Sequence, residues 1–455
     1  MSIKGLQNSI DMSRRSVRRL CVLASTAALL TGTHVLRADT LEQAFAQAYA
    51  NNAAIQSQWA RLHATDFEVQ QAQAGYKPQI SFEAGLGTAH NDLASPLFPI
   101  STYSQNTKTA GLIITQPLYT GGQVSSSVDA ARSSEAAQLA SLKATEEQIF
   151  LDVATVYTQV VRDQAVLNLE QNNVDVLTKQ LAATQAEFEN GEVTHTDVAQ
   201  AQARLAGAQA ALIQAQGALA ASRATYVRVV GTNPGQLQQP RLPDSLPITQ
   251  AEAVRLAQEN YTVLAARYAE NAAQQQAEAI SGKQKPNVAL TGQLLEARDP
   301  EIGFSRVDTR SIMLTISMPL YSGGALDAEQ HAAEQRAAAS HDDLIDAQRQ
   351  AQLDAVNAWQ AYQTANAQLA AINSQIEAEQ SAASGVQDEA SVGERTTLDV
   401  LNAEQELLNA RVNLIRAQRD LLVAAYALKA ATGQLTADSL RLPQQTLVTQ
   451  PAKGD

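Results

Sequence analysis

Two threonine–aspartate pairs, Thr194 with Asp197 and Thr396 with Asp399, are the residues of this 455-residue chain most plainly spaced for local chemistry. A hydroxyl three residues ahead of a carboxylate fits a capping box, in which the carboxylate supports a helix N-terminus. Gly121-Gly122 and Gly323-Gly324 follow strand-like segments and open helical ones. A phosphate loop at such a place needs a following Lys-Ser or Lys-Thr. Neither pair has one, so both read as tight strand-to-helix turns, with Tyr119 and Tyr321 at the interfacial level that aromatics favour. The six histidines, His34, His63, His90, His195, His331 and His341, show no metal-ligand spacing and read as surface or core residues. Cys21 is the only cysteine and lies in the first 38 residues, so the rest of the chain has no thiol chemistry. No nucleophile, base and orienting group can be assembled. No enzymatic activity, cofactor or metal site is expected.

The elements that must hold these residues change period along the chain. Residues 41 to 75 and 250 to 281 are rich in Ala, Gln and Glu with few breakers, and are predicted helices. After Pro78, Ile80, Phe82, Ala84 and Leu86 alternate with Ser81, Glu83, Gly85 and Gly87, the period of a strand apolar on one side only. Val288 to Leu294 and Ile312 to Met318 alternate likewise, and Ala110, Leu112 and Ile114 form a fourth segment that Ile113 interrupts. From Leu139 a repeat of about 3.5 residues takes over. Leu142, Ile149, Val156 and Leu177 share one heptad position, and Val153, Val160, Leu167, Val174, Leu181 and Phe188 the other. It predicts a coiled-coil helix over about 123 to 190, roughly 100 Å long, interrupted by Glu146, Asp163 and Glu170.

The chain repeats itself once. Gln116-Pro117-Leu118-Tyr119-Thr120-Gly121-Gly122 returns as Met318-Pro319-Leu320-Tyr321-Ser322-Gly323-Gly324, a shift of 202 residues. Gly191, Asp197 and Val198 return at that shift as Gly393, Asp399 and Val400, and Gly231 as Gly433. Upstream, Lys77-Pro78 matches Lys285-Pro286 at a shift of 208, which places a length change between about 90 and 108, as in a surface loop. A signal segment over 1–38, a first repeat over 39–236, a linker over 237–248, a second repeat over 249–440 and a tail over 441–455 follow. The linker sits in a proline-rich break from Asn233 to Pro247.

Residues 1–38 have the basic, then apolar, then small-residue order of a cleaved secretory signal. Without their six basic and one acidic residues, 27 basic residues face 45 acidic ones, which disfavours nucleic acid as a partner. No run of 18 apolar residues follows residue 38, so any membrane crossing falls to strands. Four strands of roughly ten residues suit a tilted membrane strand but cannot close a barrel, and an open edge in lipid leaves amides unpaired. Copies must share one barrel. Two would give about eight strands around a filled interior, whereas three would give about twelve and a lumen. An exported, non-enzymatic channel subunit is expected. The alternative is a structural or adhesive coiled-coil surface protein, which has no reason to carry two alternating hairpins per subunit. A periplasmic adaptor would show one helical hairpin flanked by small β domains, which this duplicated chain does not.

The repeated Pro-Leu-Tyr-x-Gly-Gly at 117–122 and 319–324, with Phe188-Glu189-Asn190-Gly191 to Asp197-Val198 and Val392-Gly393-Glu394-Arg395 to Asp399-Val400-Leu401, resembles the TolC family of outer-membrane factors over nearly all of the chain after residue 40. The resemblance implies a mainly α fold with a membrane β-barrel portion, in which long antiparallel helical hairpins form an α-barrel and each chain gives four strands to a shared twelve-stranded barrel. It implies a homotrimer in the bacterial outer membrane that extends into the periplasm. Its partners would be outer-membrane lipid, a periplasmic adaptor (membrane fusion) protein and an inner-membrane pump of ABC or RND type, serving type I protein secretion or multidrug and small-molecule efflux. It further implies an acidic periplasmic aperture held shut by contacts between neighbouring tips. Thr196, Asp197, Arg395, Asp399 and Asn402 are the matching positions, an Arg395 to Asp197 link is expected across helices, and the turns at Gly191 and Gly393 would meet the adaptor. Asn402 stands where the family prototype has a second aspartate, and Ala390 where it has a tip tyrosine, so one acidic ring, at Asp399, is expected.

Overall fold

In the computed structural model residues 40–95, 98–301 and 304–442 are described. The predicted signal, with Cys21 and His34, and residues 443–455 of the predicted tail lie outside them. The first half runs α1 (Leu41–Asn51), α2 (Ala53–Gln73), β1 (Gln79–Ser95), β2 (Phe98–Tyr119), α3 (Gln123–Glu189) and α4 (His195–Val230). The second repeats that order as α5 (Gln250–Ala257), α6 (Tyr261–Gly282), β3 (Asn287–Glu301), β4 (Phe304–Ser317), α7 (Ala325–Ser391) and α8 (Thr397–Ala431). Residues 231–249, between the halves, form neither helix nor strand. They lie against the helices. The Tyr157 hydroxyl donates to the Gln238 carbonyl at 2.9 Å, and Lys429 Nζ to that of Asp244 at 3.3 Å.

Helices α3 and α7 each have 67 residues, about 100 Å of rise. Along α3 the seam buries Leu142, Val153, Val156, Val160 and Leu177. Two of its three acidic interruptions are partnered, Glu146 by Lys143 Nζ at 2.8 Å and Asp163 by Arg162 at 2.6 Å, whereas Glu170 Oε2 is buried with no hydrogen-bond partner among the described residues. A buried cluster forms where α1, α3, α4 and α8 meet, with Phe45 edge-on to Phe150 at 5.7 Å and both Tyr157 and Tyr226 fully enclosed. A second joins α5, α6, α7 and Leu428 of α8 around Val263, Leu344 and Ala355.

The structure corrects two expectations. The stretches 41–75 and 250–281 are not single helices. Each breaks at an asparagine, where Asn52 Oδ1 accepts from the Ala54 N–H and Asn260 Oδ1 from the Val263 N–H, both at 2.9 Å. A short amide competes with the helical hydrogen-bond pattern, and composition over a window misses that competition. The strands are also longer than roughly ten residues, at 17, 22, 15 and 14. Beyond the alternating segment of the first hairpin, Thr88 Oγ1 donates to Asn106 Oδ1 at 2.8 Å. Main-chain ladder bonds extend a hairpin whether or not its side chains alternate.

The four strands form one antiparallel sheet in the order β1-β2-β3-β4, with β2 pairing β3 to join the two repeats. Strands β1 and β4 are its open edges. One face is apolar over its inner part, with Ile80 and Phe82 of β1 in register with Ile114 and Leu112 of β2. Among the described residues nothing covers it, and Ile80, Leu86 and Ile312 are 68%, 84% and 83% exposed. A water-soluble fold would have packed such a face. Among the described residues no helix is long and apolar enough to cross a membrane.

Candidate functional site

The tips of the two helical hairpins are built alike. At the α3 end the Glu192 N–H donates to the Glu187 carbonyl at 2.9 Å, and at the α7 end the Glu394 N–H donates to that of Glu389 at 2.9 Å. Gly191 and Gly393 supply the left-handed conformation, φ 81° at both, that such a helix ending requires. The returning helices start on capping boxes. Asp197 Oδ2 accepts from the Thr194 N–H at 2.8 Å and the Thr194 hydroxyl at 2.7 Å. Asp399 Oδ2 accepts from the Thr396 N–H at 3.0 Å and the Thr396 hydroxyl at 2.7 Å. These bonds favour the ionised form and hold both carboxyls below the usual carboxylate range. For Asp197 the Thr194 N–H is the main cause; for Asp399 it is the Thr396 hydroxyl, then its N–H, with a smaller part from Arg395. Capping therefore leaves both aspartates as accessible, persistent negative charges.

Arg395 does not reach Asp197 within the chain. Its Nε donates to Glu389 Oε2 at 2.7 Å, six residues back on its own tip. The two tips are joined one to two turns further in. Arg204 Nη2 of α4 donates to Asn402 Oδ1 of α8 at 2.6 Å. Beside it Leu401, 3% exposed, is buried against Leu177 and Ala208, with Val174 and Leu205 packed around them. Thr196 lies exposed in the first turn of α4. Sequence reasoning missed Arg204, because an arginine on a polar helix face carries no local sign of its partner.

At the strand-to-helix junctions the two glycine pairs differ. Gly121 (φ 65°) lies so close to the end of α6 that a Cβ on it would stand 2.5 Å from the Gly282 carbonyl oxygen and 2.7 Å from Lys285 Cβ. Gly323 has the same φ and nothing within 4 Å.

A buried acidic pair lies about 36 Å down α3 from the sheet. Glu146 is held by Lys143, whereas Glu147, 6% exposed, accepts only the Leu435 N–H. Burial, with a smaller contribution from neighbouring Glu146, pushes the Glu147 carboxyl up to about 8. It is protonated at neutral pH. The sequence marks Glu146 as an interruption of the seam but gives no sign of Glu147, whose burial depends on residues near Leu435 folding over it. Among the described residues no group of histidine, cysteine, aspartate and glutamate could hold a metal ion.

Comparison with known proteins places this geometry. The family model described as "Outer membrane efflux protein" matches residues 44–232 and 253–434. The outer membrane efflux protein BepC of Brucella suis is 32% identical over 437 residues, covering 94% of this chain and 94% of BepC. The outer membrane protein TolC of Vibrio cholerae is 28% identical, covering 92% of this chain and 96% of its own. In fold, the crystal structure of the outer membrane protein VceC from Vibrio cholerae superposes with a TM-score of 0.74 at 22% identity, over 86% of this chain and 96% of VceC.

Proposed function

This chain belongs to the outer membrane efflux protein family, and on that premise we propose that three copies close one duct across the outer membrane and the periplasm. Each is an outer-membrane efflux channel subunit and not an enzyme. The observation that carries the proposal is the open four-stranded sheet with an uncovered apolar face. Edges β1 and β4 need partners in a bilayer, since an unpaired amide in lipid costs several kcal/mol, on the order of one strong hydrogen bond. The chain already contains a pattern for that joint. The β2–β3 pairing and the packing of α6 on α3 join its own repeats, and β4 with α7 of one copy would meet β1 with α2 of the next in the same way. Three copies supply about twelve strands and a lumen, which transport requires.

The family reading extends to a signal over 1–38, to repeats over 39–236 and 249–440, to a periplasmic adaptor gripping the tips around Gly191 and Gly393, and to an inner-membrane pump of ABC or RND type. Cargo would be protein or small molecules. Asp399, with Asp197, forms the acidic aperture, and Arg395, Thr196 and Asn402 line it. Single-channel recording of the purified oligomer tests the aperture. Asp399→Asn is expected to lower cation preference and relieve block by multivalent cations. Because Thr396 holds the Asp399 carboxyl below its usual range, parental cation preference should also persist to lower pH than an ordinary carboxylate ring allows. Unchanged selectivity and block in the variant would remove Asp399 from the gate.

The Arg204–Asn402 bond acts as a latch between the two hairpins of one subunit. Loss of a bond worth about 1 kcal/mol shifts an opening equilibrium roughly fivefold, so Arg204→Ala should raise basal conductance by about that factor. Arg204→Lys, which keeps charge but loses the planar donor, should fall between.

A further inference from the structure

We infer that the outward end of the sheet carries a binding site for a phosphorylated glycolipid of the outer leaflet, seated between β2, β3 and β4. The inference rests on the sheet lying in the outer membrane with its apolar face towards lipid. Helices α3 and α7 leave the sheet at one end, so the β1–β2 and β3–β4 connections mark the opposite, outward end.

The apolar band stops abruptly there. Three consecutive rows across the sheet on the lipid-facing side read Phe82, Leu112, Leu294, Arg310; then Ala84, Ala110, Glu296, Asp308; then Leu86, Lys108, Arg298, Arg306. Four cations meet two carboxylates within three rows. The carboxylates are taken up by two of the cations, with Glu296 bonded to Arg298 Nε at 2.9 Å and to Arg306 Nη2 at 3.4 Å, and Asp308 to Arg306 Nε at 2.9 Å. Among the described residues Lys108 and Arg310 have no ion pair, and both are exposed. Arg310 stands directly across from Leu294, at the level of the apolar band, where a guanidinium only partly compensated by Asp308, itself bonded to Arg306, favours a further anion within reach.

The small side chains of the middle row leave a hollow of about 510 Å³. It is lined by Phe82, Leu112 and Leu294 together with Arg306, Arg310 and the paired carboxylates of Glu296 and Asp308. Such a hollow takes an acyl chain against the leucines and an anionic headgroup against the arginines. Lys108 and Arg310 lie two strands apart and four residues apart along the strands, about 16 Å between backbones, a gap that two long side chains narrow and that suits two phosphates spaced by sugars better than the single phosphate of a glycerophospholipid. The next row outward on β1 and β2 holds Thr88 and Asn106, groups that hydrogen-bond sugar hydroxyls.

The test is native mass spectrometry of the detergent-purified full chain, titrated with bisphosphorylated lipid A, with the same lipid dephosphorylated, and with phosphatidylglycerol. The bisphosphorylated form should bind about tenfold more tightly than either comparator, and a double variant, Lys108→Gln with Arg310→Gln, should lose that preference. Arg349→Gln, exposed on α7, should keep it. Equal binding of the dephosphorylated lipid, equal binding of phosphatidylglycerol, or full retention of preference in the double variant would each overturn the site. If the double variant is not recovered from outer membranes, the three-lipid comparison on the parent chain still decides. Recovery of the parent as a soluble protein would instead defeat the membrane reading itself.

Discussion

Gly121→Ala is expected to abolish recovery of assembled channel from outer membranes. Alanine at φ 65° costs roughly 1–2 kcal/mol of backbone strain. Its Cβ would also stand 2.5 Å from the Gly282 carbonyl oxygen, so the end of α6 must move away from the start of α3. Overpacking of that kind adds about 1–3 kcal/mol and pries open the joint between the two repeats. Gly323→Ala is the informative partner. Within one chain it meets nothing, so an isolated subunit would bear only the backbone strain. If the next copy docks its α2 there as α6 docks on Gly121, the second variant loses the oligomer as fully as the first. The amount of oligomer that survives mild detergent, read on unheated gels of membrane fractions, separates the cases. A Gly323→Ala chain that assembles at the parental level would show that the joint between subunits is not the copy of the internal one.

Glu147→Gln is expected to raise the melting midpoint of the solubilised channel above pH 8 and leave it unchanged near pH 4. The folded state holds the Glu147 proton up to about 8, whereas an unfolded chain releases it near 4.5. Between those values the folded state binds the extra proton, so stability falls as pH rises, by at most about 1.4 kcal/mol per pH unit. The accumulated loss at pH 8 is on the order of a few kcal/mol per chain. Glutamine stays neutral throughout and still offers an oxygen to the Leu435 N–H, so the slope should vanish. Glu146→Gln should not reproduce this result, because it leaves Lys143 without its 2.8 Å partner. A parental midpoint that is flat from pH 5 to 9 would show that Glu147 is ionised in the folded channel.

What the amino-acid sequence determined is what short stretches of chain settle among themselves. The heptad seam, the alternation in four strands, the Gly-Gly turns, the tip glycines and the capping boxes each depend on residues within a few positions, and the repeat shows them twice. The single sheet that joins the repeats also follows, since two hairpins apolar on one face have little else to pair with. Tertiary structure decided the rest. Arg395 turns to Glu389, Arg204 finds Asn402 across 198 residues of chain, and Glu147 is sealed in by a segment nearly 300 positions away. A charge on a helix surface has no preferred partner until the helices cross, and burial belongs to the packed assembly of elements, not to any one of them. For the same reason the contrast between Gly121 and Gly323, identical in motif and in φ, exists only where α6 has come to rest against one of them and not the other.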